Sequence, residues 1–130
     1  MIFSLTVYGA PFSNQCSDTA YQFASSLLKQ GHSLHRVFFY HDGVYNGSVL
    51  ATPPQDERNI QASWSQLAQQ YDLDLVVCVA AGLRRGMLDE TEADRYEQPA
   101  HNLASGFTLS GLGQMVEAAM VSDRMITFGA

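Results

Sequence analysis

The sequence predicts an α/β domain: a mainly parallel five-stranded sheet with helices on both faces, in three layers. Three observations predict it. Short β-rich runs alternate with stretches whose apolar residues recur at helical spacing. The run "LDLVVCV" (73–79) is nearly continuous in apolar residues, as a strand covered on both faces is. No internal repeat, low-complexity tract or interior linker interrupts the 130 residues, so 1–130 reads as one domain with room for its own core.

"IFSLTVY" (Ile2 to Tyr8), bounded by Gly9 and Pro11, is the first strand. From Ser17 to Gln30, Ala20, Phe23, Ala24, Leu27 and Leu28 share one helical face; Ser17 or Asp18 suits the start and Gly31 the end. "LHRVFFY" (34–40) is the second strand. "HDGVYNGSVLATPPQDE" then runs long for a connection, which in a compact domain points to function or contacts. A second helix carries Ile60, Trp64, Leu67, Ala68 and Tyr71 on one face and leads into the third strand. "DETEADRY" reads as a short helix capped by Asp89 with Glu92 in the reciprocal position. "FTLSG" is a brief strand. The last helix places Leu112, Met115, Val116, Ala119 and Met120 on one face behind a Ser110 cap, and "DRMITFG" is the final strand.

Composition narrows the function. A net charge of −6 and a pI of about 4.9 disfavour direct nucleic-acid binding and charge-driven membrane attachment. No apolar run approaches the roughly 18 residues of a membrane span, and "MIFSLTVYGAP" lacks the basic start of a signal peptide. A cytoplasmic protein is expected. Two cysteines are too few for a secreted disulfide framework, and with scattered histidines they give no local metal-ligand pattern, so neither metal nor cofactor is expected.

Right-handed crossovers put the carboxyl ends of parallel strands along one rim, where ligands and reactive groups of open α/β sheets gather. Cys78 falls at or near the end of the third strand, and Cys16 follows the loop after the first. Cys78 has two readings. Cysteine is commonly buried, and "VVCVAA" accommodates it as a small hydrophobe. Against this, a strand end followed by a short helical turn, with Arg84 and Arg85 close behind, would favour a reactive thiolate. A redox pair of Cys16 and Cys78 would need the two to meet under strict geometric limits. "GAPFSNQCS" is not a dinucleotide fingerprint, "SGLGQM" lacks the lysine of a phosphate loop, and His41 with Asp42 in "HDGVYN" reads as a turn.

The blocks "FFYHDGVYN", "TPPQDE", "VVCVAAGLRRG" with "DETEA", and "SGLGQMVEAA…SDR" stand in this order in a chain that resembles the sulfur-relay DsrE/TusD family over essentially its whole length. The resemblance implies a sulfurtransferase that carries sulfane sulfur as a persulfide on Cys78. It also implies a heterohexamer with homologous TusB- and TusC-type (or DsrH- and DsrF-type) subunits, a TusA-like donor and a TusE- or DsrC-like acceptor. In the Tus branch the sulfur ends as the 2-thio group of wobble uridine in tRNA, and in the Dsr branch it is passed on during oxidation of stored sulfur. "GVYN" and "ADRYEQPAHNL" lean toward the Tus branch, whereas "YHDG" and "TPPQDER" suit either. Thiolate stabilisation by Arg84 and Arg85 is an inference from their position. Cys16 has no counterpart in the pattern. A catalytically silent assembly subunit with a packed Cys78 is the alternative from another class.

Overall fold

A computed structural model describes residues 1–129. Its five strands are β1 (Ile2–Val7), β2 (Ser33–Phe39), β3 (Leu75–Cys78), β4 (Phe107–Ser110) and β5 (Arg124–Phe128). They form one all-parallel sheet in the order β4-β3-β2-β1-β5. The helices are α1 (Cys16–Lys29), α2 (Ile60–Tyr71), α3 (Val79–Arg84), α4 (Glu90–Arg95) and α5 (Gly113–Val121). A 3-10 segment, His41–Gly47, occupies the first part of the long connection.

The topology distributes the helices unevenly. Three successive crossovers step the chain from β1 to β4, and right-handedness sends them over one face of the sheet. The last crossover returns from β4 past β1, so α5 alone covers the other face. The expected three layers are therefore present, with a full layer on one side and a single helix on the other.

The full side holds the core. Ala20, Ala24 and Leu27 of α1 are buried, with Phe23 and Leu28 at the margin of the same face. On α2, Trp64 is fully enclosed and meets Phe39 and Tyr21 edge-on at 5.3 and 5.4 Å. Asn59 caps α2 by accepting from the Ala62 N–H at 3.1 Å. The start of α1 differs from expectation: Gln15 is the capping position and makes no side-chain cap. Ser17 is instead buried and donates to the Gly9 carbonyl at 2.8 Å, while Asp18 pairs with Arg58 at 2.7 Å.

The other face is polar where α5 lies. Ser4 and Thr6 of β1 bond Ser122 and Thr127, each at 2.7 Å. Buried Arg36 donates to Asp74 at 2.7 Å, to the Gln114 carbonyl at 2.9 Å and to Glu117 at 2.7 Å. A register shift between β1 and β2 at Phe3/Ser4 skips His35, and His35 Nε2 also donates to Glu117 Oε1, at 2.8 Å. These bonds turn α5 so that Ala118 is its buried residue and Leu112, Val116 and Met120 face outward. Of the apolar stripe, Met115 packs against the core, whereas Leu112, Val116, Ala119 and Met120 are exposed. Nor does Ser110 cap α5: it is the last residue of β4, and Leu112 stands at the cap.

The Glu117 bonds carry a pH signature. Hydrogen bonds from His35 and then Arg36 hold the Glu117 carboxyl below its usual range. Burial would lower the Arg36 pKa, but bonds to Asp74 and Glu117 outweigh it and raise it. A carboxyl depressed in the folded state stabilises above its unfolded pKa and loses that contribution as pH falls through the folded value. The difference in thermal stability between wild type and Glu117→Gln is therefore expected to be steady from neutral pH to about 5 and to shrink below it. Melting curves of both proteins across that range check this; a gap that widens toward acid refutes it.

Candidate functional site

The site is built at the carboxyl edge of the sheet. β3 is paired on both sides and its four residues are buried, so its end is held in place. Cys78 is the last of them, in register with Ser110 of β4. It is also the capping position of α3, with φ −58° and ψ 121° and no side-chain cap bond. The thiol is free and the residue is 2% exposed, within the core cluster. Cys78 therefore stands at the strand end that the sequence predicts and is packed within the core.

The two arginines lie at the far end of α3. At about 1.5 Å rise per residue their backbones sit roughly 9–10.5 Å along the helix from Cys78. Arg85 donates from Nε to Asp42 Oδ1 at 2.9 Å and from its Nη1 to the Ala81 carbonyl at 3.1 Å. Arg84 is exposed and lines a cavity of about 680 Å³ with Leu83, Leu88, Tyr96 and Pro99. Their hydrogen bonds and surroundings place them around α3.

Beyond its place in a turn, Asp42 makes a further contact. The 3-10 segment begins as β2 ends, so Asp42 reaches the same edge as Cys78 and meets Arg85 across 43 residues of chain. The available signal was topological: a polar residue just beyond the carboxyl end of the strand beside β3. Its neighbour His41 stacks on Tyr40 with ring centroids 4.2 Å apart and takes a left-handed φ of 48°. Tyr8, Asn14, His41 and Asp42 border a second cavity of about 330 Å³ beyond β1.

Cys16 belongs elsewhere. Its thiol donates to the Phe128 carbonyl at 2.9 Å, beside β5. β3 and β5 are separated by β2 and β1, so at about 4.8 Å per strand the ends of those two strands lie roughly 14 Å apart. A disulfide requires Cα atoms within about 7 Å, so this arrangement brings no redox pair together. Among the described residues, no three His, Cys, Asp or Glu side chains gather as a metal set, and no helix is long and apolar enough to cross a membrane.

The DsrE/DsrF-like family model matches residues 1–128. The chain belongs to the DsrE/DsrF-like family. A relative in Allochromatium vinosum, named putative sulfurtransferase DsrE, is 54% identical over 99% of this chain and 99% of its own length. Sulfurtransferase TusD of Salmonella dublin is 47% identical over 98% of this chain and all of its own. A sulfurtransferase TusD homolog of Vibrio vulnificus is 46% identical over 97% of this chain and 96% of its own. The crystal structure of the ychN protein from E. coli matches with a TM-score of 0.75, covering 98% of this chain and 99% of that one; at 18% identity it speaks for the fold. This member of the DsrE/DsrF-like family thus has a fold in common with solved proteins and near-complete relatives named as sulfurtransferases.

Proposed function

We propose that the protein is a sulfurtransferase subunit that carries sulfane sulfur as a persulfide on Cys78. The observation that carries this reading is the position of that thiol at the end of β3 in a chain related over its full length to named sulfurtransferases. The chemistry is thiol exchange. The Cys78 thiolate attacks the outer sulfur of a donor persulfide, forming Cys78–S–SH and releasing the donor thiolate. An acceptor thiolate then attacks that outer sulfur and frees Cys78 as a thiolate. One neutral sulfur atom moves in each step, with no net oxidant or reductant. Arg84 and Arg85, at the far end of α3, are the candidate stabilisers of the thiolate through their positive charge.

The remaining parts follow from the family resemblance. The chain works as a single-domain cytoplasmic subunit of a heterohexamer with TusB- and TusC-type subunits, between a TusA-like donor and a TusE-like acceptor. Its sulfur goes to 2-thiolation of the tRNA wobble uridine, without contact between this acidic chain and the RNA. The DsrE role in sulfur oxidation, with DsrH- and DsrF-type subunits and a DsrC-like acceptor, is the second reading; the Allochromatium vinosum relative favours it.

Incubation of the assembled complex with a persulfide donor, followed by intact-mass spectrometry, tests the carrier role. The chain is expected to gain the mass of one sulfur, Cys78→Ser to gain none, and Cys16→Ser to behave as wild type. No gain on the wild-type chain in an intact complex would leave the silent-subunit reading. Loss of 2-thiouridine on deletion of the gene separates the tRNA role from the oxidative one.

A further inference from the structure

The cavity of about 680 Å³ beside α3 does not include Cys78 in its lining. It is a trough between the end of α3 and the chain that follows α4, bordered by Leu83, Arg84, Leu88, Tyr96, Gln98 and Pro99 among others. Its walls are held in place by the chain's own bonds. α4 ends in a left-handed residue, Glu97 at φ 55°, and the Gln98 N–H donates to the Ala93 carbonyl at 2.9 Å, which turns the chain back there. Leu88 is tied on both sides. Its N–H donates to Asn102 Oδ1 at 2.9 Å, and its carbonyl accepts from the Asn102 and Leu103 N–H groups at 3.0 Å each. A trough already formed spares a ligand the cost of ordering it.

Its chemistry is one cation on an apolar surface. Arg84 is the one charged residue of the lining. Arg36, Arg58, Arg85 and Arg95 each meet a carboxylate within 3.3 Å. Among the described residues Arg84 meets none, and its side chain makes no hydrogen bond. Five donors in a planar fork therefore stand open, in the geometry that suits a carboxylate. The trough is itself open: Arg84 is exposed, and Tyr96 is exposed at 54%. Small molecules are normally held with most of their surface buried, which so open a site does not provide. A polypeptide has only to lay one or two side chains into it.

We propose that this trough is a docking site for a segment of another protein that carries a carboxylate next to an apolar side chain. The carboxylate pairs with Arg84, and the apolar group lies against Leu83, Leu88, Tyr96 and Pro99. The Gln98 amide is left for the backbone of the segment. An acidic side chain and a chain terminus offer the same carboxylate chemistry. The site stands apart from the carrier role of Cys78 and does not depend on it.

Titration of the full-length chain with short peptides, followed by amide NMR shifts, tests this. The probes are acetyl-Ala-Leu-Glu-Leu-Ala-amide, the same peptide with Gln in place of Glu, the same with Ala in place of both Leu, and acetyl-Ala-Ala-Ala-Ala-Leu with an unblocked carboxyl end. The first is expected to shift amides of residues 83–88 and 96–98. Glu to Gln in the peptide should weaken binding about five- to ten-fold, and loss of both Leu should weaken it as well. Arg84→Gln should cost the same factor for the Glu peptide and nothing for the Gln peptide, a coupling that a general loss of structure would not give. Arg84→Lys should recover part of the loss, and Tyr96→Ala should weaken both peptides. Binding of the unblocked peptide in place of the Glu peptide would identify a chain terminus as the occupant. Equal binding of the Glu and Gln peptides, when the unblocked peptide does not bind, overturns the site, and so does the absence of shifts with either carboxylate peptide at millimolar concentration. An Arg84→Gln chain that binds the carboxylate peptide as the parent does, yet takes up sulfur more slowly, would assign the arginine to the thiolate and overturn the docking role.

Discussion

Trp64→Ala is expected to lose about 3–5 kcal/mol, the range for truncating a large buried aromatic. With an unfolding entropy of about 2.1 cal/mol/K per residue, this lowers Tm by roughly 11–18 °C. The size of the effect comes from its neighbours. The indole is fully buried between α2 and the sheet, edge-on to Phe39 of β2 and Tyr21 of α1, so alanine would remove the shared contact of two layers. Trp64→Phe separates packing from polarity. The indole N–H has no hydrogen-bond partner among the described residues, and a buried unpaired donor costs about 1–3 kcal/mol. Phenylalanine gives up some volume and removes that penalty, so its loss should stay below about 1.5 kcal/mol. Urea melts of both variants check this; equal losses would mean the ring does not bridge the layers.

Gly43→Ala is expected to be the second large effect, for an opposite reason. Here an added methyl has nowhere to go, because the Val7 carbonyl stands 2.0 Å from its position and the obstacle is backbone. That carbonyl also accepts the Tyr40 N–H at 3.0 Å, so moving it disturbs the join of β1 and β2. The 3-10 segment has to lift instead. Overpacking of this kind costs about 2–3 kcal/mol, or roughly 7–11 °C in Tm. Lifting the segment also carries Asp42 away from Arg85. Gly43→Ala is therefore expected to melt earlier than the parent in thermal scans. A variant as stable as the parent would refute the clash.

Much of the fold was legible because burial writes a period into the sequence. Ala20, Ala24 and Leu27 recur as a helix against a sheet requires, and 75–78 is apolar throughout because both its faces are covered. The same signal misled at α5. Periodicity reports that a helix has two unlike faces; it does not report which face meets the sheet. There Ser4, Thr6 and Arg36 make the sheet polar, and the apolar stripe apart from Met115 faces outward. The 3-10 segment has no long period to read, and the need for glycine at 43 is set by Val7, distant in sequence.

The site divided in the same way. That Cys78 ends a strand could be read from the run preceding it, and that it is enclosed could not, since enclosure depends on what later residues cover. The arginines stood out as a pair, yet their surroundings differ: Arg85 faces Asp42, and Arg84 faces a cavity. Such partnerships join residues 43 apart, and no local pattern encodes them.

The strand order also bears on how the chain is made. β1 lies between β2 and β5, and Thr6 meets Thr127 across 121 residues. During synthesis β1 can join β2 early, but its second edge waits on the ribosome until nearly all that sequence has emerged. A nascent chain therefore carries an open strand edge for most of its translation, and high contact order slows the final closure. Early docking partners or chaperones would find that edge available in the growing chain and absent from the finished one.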